Sequence, residues 1–178
     1  MAMTIEERSA APQHFFDLLK QFDFAMLVTR EGKNMSARPM QISQIDERGT
    51  IWFLSEIDAT RTRTLEFSPR VQLLCQSKTV YLSVAGIATV VHNRTKIDEL
   101  WKESYRLWFP EGRHSRNLAL IAVQPVTGEF WDQSRMKGLQ FLLETARAYV
   151  TGTPVHLDPE THATATLSNP LPTDHQPT

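Results

Sequence analysis

Apolar and polar residues alternate with a period of two along most of this chain, and the period changes to that of a helix at a few points. Residues 4–21 carry Phe15, Leu18, Leu19 and Phe22 at helical spacing, with Glu6 and Glu7 in the first turn, which predicts an amphipathic helix weakened in its first half by Pro12. Residues 24–30 then read as a strand closed by the turn Glu31-Gly32-Lys33-Asn34. Residues 35–46 and 50–55 give two further strands joined at Asp46-Glu47-Arg48-Gly49, so the three form a β-meander. A short helix is predicted over 58–67, capped by Asp58 and ended at Ser68-Pro69. Strands over 71–76 and 80–91 continue the sheet, and Gly86 inside the second marks a bulge or bend. Asn93 is placed to cap a helix over 95–105, on which Trp101, Tyr105 and Trp108 follow an i, i+4, i+7 spacing. Residues 118–123 and 128–131 supply the last strand, broken around Gln124-Pro125, and 137–149 carries a helical stripe of Leu139, Leu142, Leu143 and Ala146. Strands in antiparallel order with helices between them and at both ends predict an α+β protein around a closed or nearly closed antiparallel β-barrel of about six strands, because closure removes exposed edges.

Composition changes this picture in one place. The 41 % hydrophobic and 22 % charged content of the 178 residues is ordinary for a single globular domain. From Gly152 onward, however, the chain holds five of its ten prolines and three of its six histidines, with many threonines and little that builds a core. The expected organisation is one domain over 1–151 and a flexible tail over 152–178. A net charge of −1 gives no overall attraction to nucleic acid or to an anionic membrane. The longest apolar runs are too short to cross a bilayer, and the N-terminus lacks the basic-then-apolar order of a signal peptide, so a cytoplasmic location is expected. Cys75 stands alone in a strand-like run and reads as a buried, inert thiol.

The candidate chemistry lies in the first three strands and the helix after them. Arg38 precedes Pro39, which cannot donate a ladder hydrogen bond, so this part of the strand belongs at an edge or barrel rim. Ser55 ends the third strand, and Thr60, Arg61 and Arg63 follow in the short helix. Arginine forks and hydroxyls suit a phosphate, and basic residues in a first helical turn are unfavourable unless a negative partner offsets them. The plain alternatives are a surface ion pair for Arg38 and a solvated basic face for the helix. The aromatic group Trp101, Tyr105, Trp108, Phe109, Phe130 and Trp131 could cover a flat heteroaromatic ring or form a dimer core. His14, His92 and His114 fall outside the cluster. His156, His162 and His175, spaced by six and thirteen, match no tight metal motif, so no metal site is assigned.

Five blocks in order carry a resemblance: Phe24-Ala25-Met26-Leu27-Val28-Thr29, Ser36-Ala37-Arg38-Pro39-Met40, Ile51-Trp52-Phe53-Leu54-Ser55, Tyr81-Leu82-Ser83-Val84-Ala85-Gly86 and Leu107-Trp108-Phe109-Pro110-Glu111-Gly112. Over about residues 5–152 the chain resembles the general stress protein branch of the pyridoxamine 5′-phosphate oxidase-like split-barrel proteins. The resemblance implies a homodimer of six-stranded split β-barrels with FMN, or FAD in its place, at the subunit interface. It places Arg38 on the flavin phosphate and ribityl region, and Pro39, Met40 and Gln41 beside the isoalloxazine, offering backbone groups. Leu54 and Ser55 end the third strand at the cofactor, with Thr60 and Arg61 at the position of a basic pair and Arg63 facing the same pocket. Tyr81 stands where related oxidases use a glutamine, and Trp131 matches a tryptophan supplied by the partner chain, with Trp108 a second candidate for that contact.

The departures bear on the reaction. Ser43 stands where the oxidases carry a lysine, and no counterpart of their C-terminal arginine segment follows Trp131, so a true pyridoxamine 5′-phosphate oxidase is not expected. The expectation is an FMN-dependent oxidoreductase in a stress-related role, exchanging electrons with a small donor such as a reduced nicotinamide or deazaflavin. A hydride transfer needs no general acid or base, and no residue stands out as one. The alternatives are a non-enzymatic flavin-binding or sensing protein and a haem-binding split barrel.

Overall fold

The computed structural model describes residues 5–57, 60–132 and 162–167, with the side chains of 5–11, 60, 61, 63, 162 and 163 outside the description. Helix α1 (Ile5–Leu19) leads into β1 (Phe24–Glu31), β2 (Asn34–Ile45) and β3 (Ile51–Glu56). After α2 (Thr60–Phe67) come β4 (Arg70–Gln76) and β5 (Val80–Val91), then α3 (Arg94–Leu100) and a 3₁₀ turn (Glu103–Leu107). The long β6 (Leu118–Asp132) and β7 (His162–Thr166) complete the sheet.

The sheet runs β3-β2-β1-β4-β5-β6-β7, and a second pairing of β6 with β3 closes the first six strands into an antiparallel barrel. The alternation read from the sequence is what fills it. Leu27, Ile51, Phe53, Leu73, Val84, Ile121 and Val123 turn inward and are buried, and Phe15 and Leu19 of α1 plug the same core. A second cluster packs outside it, where Leu54, Leu118 and Leu120 meet Ile97, Leu100, Tyr105 and Phe109.

Several expectations change in detail. The last strand is continuous through Pro125. Gly86 pairs with Pro125 and Ala85 with Thr127, so Val126 is the extra residue of a bulge. Pro125 also falls where β3 stops pairing, at Val123, and before β7 starts, at Thr127, so on that side of β6 no strand partner faces it. The helix predicted over 95–105 is two pieces. Asn93 does cap it, its Oδ1 accepting from the Lys96 N–H at 3.0 Å, but Trp101 and Lys102 are extended and separate α3 from the 3₁₀ turn. The tail expected from Gly152 contains β7, which pairs with residues 127–131 of β6. Backbone pairing, more than apolar side chains, seats this strand, although Ala165 is buried. The predicted helix over 137–149 and the remainder of the tail lie outside the described residues.

Candidate functional site

β2 changes partners halfway along its length. Residues 34–41 pair with β1, from Glu31↔Asn34 to Phe24↔Gln41, while pairing with β3 begins only at Ile42↔Phe53. Among the described residues, the edge of β2 opposite β1 is therefore open along Arg38, Pro39 and Gln41, as the Arg-Pro dipeptide predicts. A bulge marks the handover: Ile42 faces Phe53 and Gln44 faces Trp52, leaving Ser43 as the extra residue. The hydroxyl of Tyr105, from the 3₁₀ turn, donates to Ser43 Oγ at 3.0 Å and ties the outer wall to this bulge.

A cavity of about 490 Å³ lies against the open edge, within the roughly 300–1,000 Å³ usual for small-molecule and cofactor sites. Arg38, Pro39, Met40 and Gln41 of β2 line it with Leu54 and Glu56 of β3, and Phe24, Tyr105, Trp108 and Phe109 supply an aromatic wall. Because the β2 edge is unpaired, side chains from both faces of the strand reach the one space. Phe24 and Trp108 meet edge to face with ring centroids 6.4 Å apart, and they remain 46 % and 50 % exposed. Tyr105, 1 % exposed, sits edge to face with Trp101 at 5.9 Å. The turn carrying these aromatics is held by Glu103, which accepts from Arg106 Nε at 2.6 Å and from Trp101 Nε1 at 3.1 Å. The Arg106 hydrogen bond, then that from Trp101, keeps the Glu103 carboxyl below its ordinary range.

Two polar groups in the lining have no hydrogen-bond partner among the described residues. Arg38 is exposed at the cavity, and no hydrogen bond or ion pair joins it to the described residues. Gln41 Oε1 is buried with no hydrogen-bond partner. Glu56 puts a carboxylate on the same lining.

The twelve residues singled out from the sequence divide into four groups. Arg38, Pro39, Met40, Gln41, Leu54 and Trp108 converge on the cavity. Ser55 does not line it: fully buried, its hydroxyl lies 3.4 Å from Thr62 Oγ1, which itself donates to the Glu56 carbonyl at 2.6 Å, so this pair fastens α2 to the end of β3. Thr60, Arg61 and Arg63 occupy the start of α2, their side chains outside the description. Tyr81 and Trp131 face each other across β5 and β6, at the opposite end of β6 from the barrel closure, and do not line this cavity. Trp108, the second candidate for a contact with a partner chain, lines the cavity of its own chain. Tyr105 and Phe109 come from the aromatic group that the sequence offers as a cover for a flat ring, while Phe24 and Glu56 are additional lining. Phe24 shows only through its register with Gln41.

No curated protein matches the chain. Among solved structures, a candidate general stress protein 26 from Jannaschia sp. CCS1 superposes with a TM-score of 0.68 at 25% identity, over 89% of this chain and 99% of that one. The general stress FMN/FAD binding protein of Xanthomonas citri gives a TM-score of 0.60 at 25% identity, over 73% of this chain and 91% of that one. General stress protein 26 of Bacillus anthracis str. Sterne, at 17% identity and a TM-score of 0.61 over 68% and 93% of the two chains, shares the fold. The sequence model of the family "pyridoxamine 5′-phosphate oxidase like" matches residues 10–156. With the closed barrel, the open β2 edge and these matches together, the chain belongs to the pyridoxamine 5′-phosphate oxidase-like family, in its general stress protein branch.

Proposed function

We propose that this protein binds FMN at the β2 edge, with FAD as a second ligand of the same chemistry, and acts as an oxidoreductase on a small electron donor. The observation that carries the reading is Arg38, an arginine on the cavity with no partner of its own among the described residues. A guanidinium left free beside aromatic rings suits a ligand that joins a phosphate to a flat ring system. The residues fit such a group in a second respect, since the buried acceptor Gln41 Oε1 has room for a donor from the ligand. The name of the Xanthomonas citri relative, an FMN/FAD binding protein, supports the same choice.

A bound flavin supplies the electron transfer, and the protein supplies binding, orientation and exclusion of water. Arg38 would grip the phosphate. Phe24 and Trp108 would flank the ring, and Tyr105 and Phe109 would keep its inner side dry. We further propose that two copies pair through the exposed apolar face beside the cavity, where Met26 lies directly opposite Leu74 and next to Pro39. A non-enzymatic flavin-binding role is the second reading. It is favoured by a lining without histidine, cysteine or lysine, in which the one hydroxyl, that of Tyr105, is already engaged with Ser43.

The test is the absorbance spectrum of the purified protein, with mass analysis of any released cofactor. A flavin spectrum at one FMN per chain that bleaches on adding a reduced nicotinamide or deazaflavin supports the oxidoreductase. Stoichiometric FMN that no donor bleaches supports the second reading. A colourless protein that takes up no FMN from solution removes both.

A further inference from the structure

Among the described residues, Gln41 Oε1 is the one buried side-chain nitrogen or oxygen without a hydrogen-bond partner. The polar side chains that follow it on β2, and Trp52 facing them on β3, are provided for. Ser43 receives Tyr105, Gln44 Oε1 receives Lys96 Nζ at 2.8 Å, and the Trp52 indole donates to Asp46. An unpaired acceptor is costly to keep buried, so a site that retains one implies a donor that arrives with a ligand. The position narrows the kind of donor. Gln41 is in register with Phe24, whose ring meets Trp108, so the amide lies at the aromatic part of the cavity. Arg38 stands three residues back on the same strand, roughly 10 Å away at strand rise. A ligand anchored by an anionic group at Arg38 therefore presents its far, ring-bearing end to Gln41.

We propose that the Gln41 side chain is the specificity group of this cavity, its amide oxygen accepting a hydrogen bond from an N–H on the edge of a flat heterocycle. The inference rests on the flavin reading and deepens it, because the oxidised isoalloxazine carries a single N–H, the imide between its two carbonyls. A pocket built to bond that N–H rejects an analogue lacking it more strongly than a purely apolar pocket does, since the acceptor is then left unpaired. Gln41 thus selects the pyrimidine edge of the ring, while Arg38 selects the phosphate.

Titration of the full chain, freed of cofactor, with FMN and with FMN methylated at the imide nitrogen tests this through ligand fluorescence. The wild type is expected to bind the methylated compound about ten- to a hundred-fold more weakly. Gln41→Leu should bind the two within about threefold of each other, and Gln41→Glu, which keeps an acceptor, should retain the preference. Circular dichroism establishes that each variant is folded, and the two wild-type titrations need no variant. Equal binding of both compounds by the wild type overturns the Gln41 assignment while leaving flavin binding standing. A preference that persists in Gln41→Leu overturns it too, by making the methyl group a steric matter. A wild type that binds neither compound removes the flavin reading and this inference with it.

Discussion

Arg38 and Asp46 lie on and just beyond one strand, and they meet their charge in opposite ways. Arg38 is left open at the cavity, so replacing it costs the fold little and a phosphate ligand much. Arg38→Ala should weaken FMN about ten- to a hundred-fold and leave riboflavin, which has no phosphate, nearly unchanged. Equal losses for the two ligands would show that Arg38 does not meet the phosphate. Asp46 is the reverse case. Partial burial raises its pKa, but hydrogen bonds from the Trp52 indole at 2.9 Å and the Thr50 and Arg48 N–H groups outweigh it and hold the carboxyl below 3.8. A depressed folded pKa means that the stabilisation is complete above the unfolded value and fades as the pH falls through the folded one. Thermal melts should therefore separate the wild type from Asp46→Asn at pH 7, by about 1–3 kcal/mol, with the gap narrowing below about pH 4. A gap that is constant with pH would mean the turn does not depend on this carboxylate. Cys75 has no such hydrogen bonds among the described residues, and burial pushes its thiol up to about 12.

At the scale of elements, the bulge on β6 sits close against Gly86 of β5. A Cβ on Gly86 would lie 2.8 Å from the Gln124 carbonyl oxygen and 2.8 Å from Val123 Cγ1, and the backbone atom cannot swing away. Gly86→Ala should destabilise the barrel by about 1–3 kcal/mol in denaturant unfolding, and a neutral result would show that β5 and β6 can part at this point. Gly86 was legible in the sequence because a glycine inside an apolar strand has few other uses. The barrel strands were legible for a similar reason: one-sided burial imposes a period of two on every one of them. β7 was not, since His162-Ala163-Thr164-Ala165-Thr166 has no large apolar residue and is held by backbone pairing to a strand far away in sequence. The aromatic stripe misled for the converse reason. Trp101, Tyr105 and Trp108 keep helical spacing, yet the extended step at Trp101 and Lys102 sends Tyr105 inward to Ser43 and leaves Trp108 at the cavity. Arg38 and Pro39 announced an open edge; what closes over that edge depends on how the 103–117 segment folds, which no local pattern records.

For the molecule as a whole, the outer face of β1 and β4 stands out. Met26 at 38 % and Leu74 at 42 % exposure pair directly, and Phe24 continues the patch to Trp108 and the cavity rim. A contiguous apolar face beside a ligand site is costly to leave in water. If it is the surface through which two copies pair, sedimentation should give twice the 20.4 kDa chain mass. Leu74→Asp should then yield folded monomer with weaker FMN binding. A monomeric wild type, or a dimer indifferent to Leu74→Asp, would locate the association elsewhere or abolish it. Among the described residues no helix is long and apolar enough to cross a membrane.

The shared edge of β6 has a further consequence, in the order of events. β3 is made early, but its closing partner, from Leu118 to Val123, is made only after α2, β4, β5 and α3 have left the ribosome. Until then the meander β1-β2-β3 carries an unpaired strand along Ile51, Phe53 and Ser55, all of which end fully buried. Closure across so long a loop is slow, and an apolar edge waiting for it invites pairing with another chain. Efficient synthesis of this protein should thus depend on how quickly β6 emerges, with nascent chains stopped before Leu118 more prone to aggregate than those that extend past Asp132.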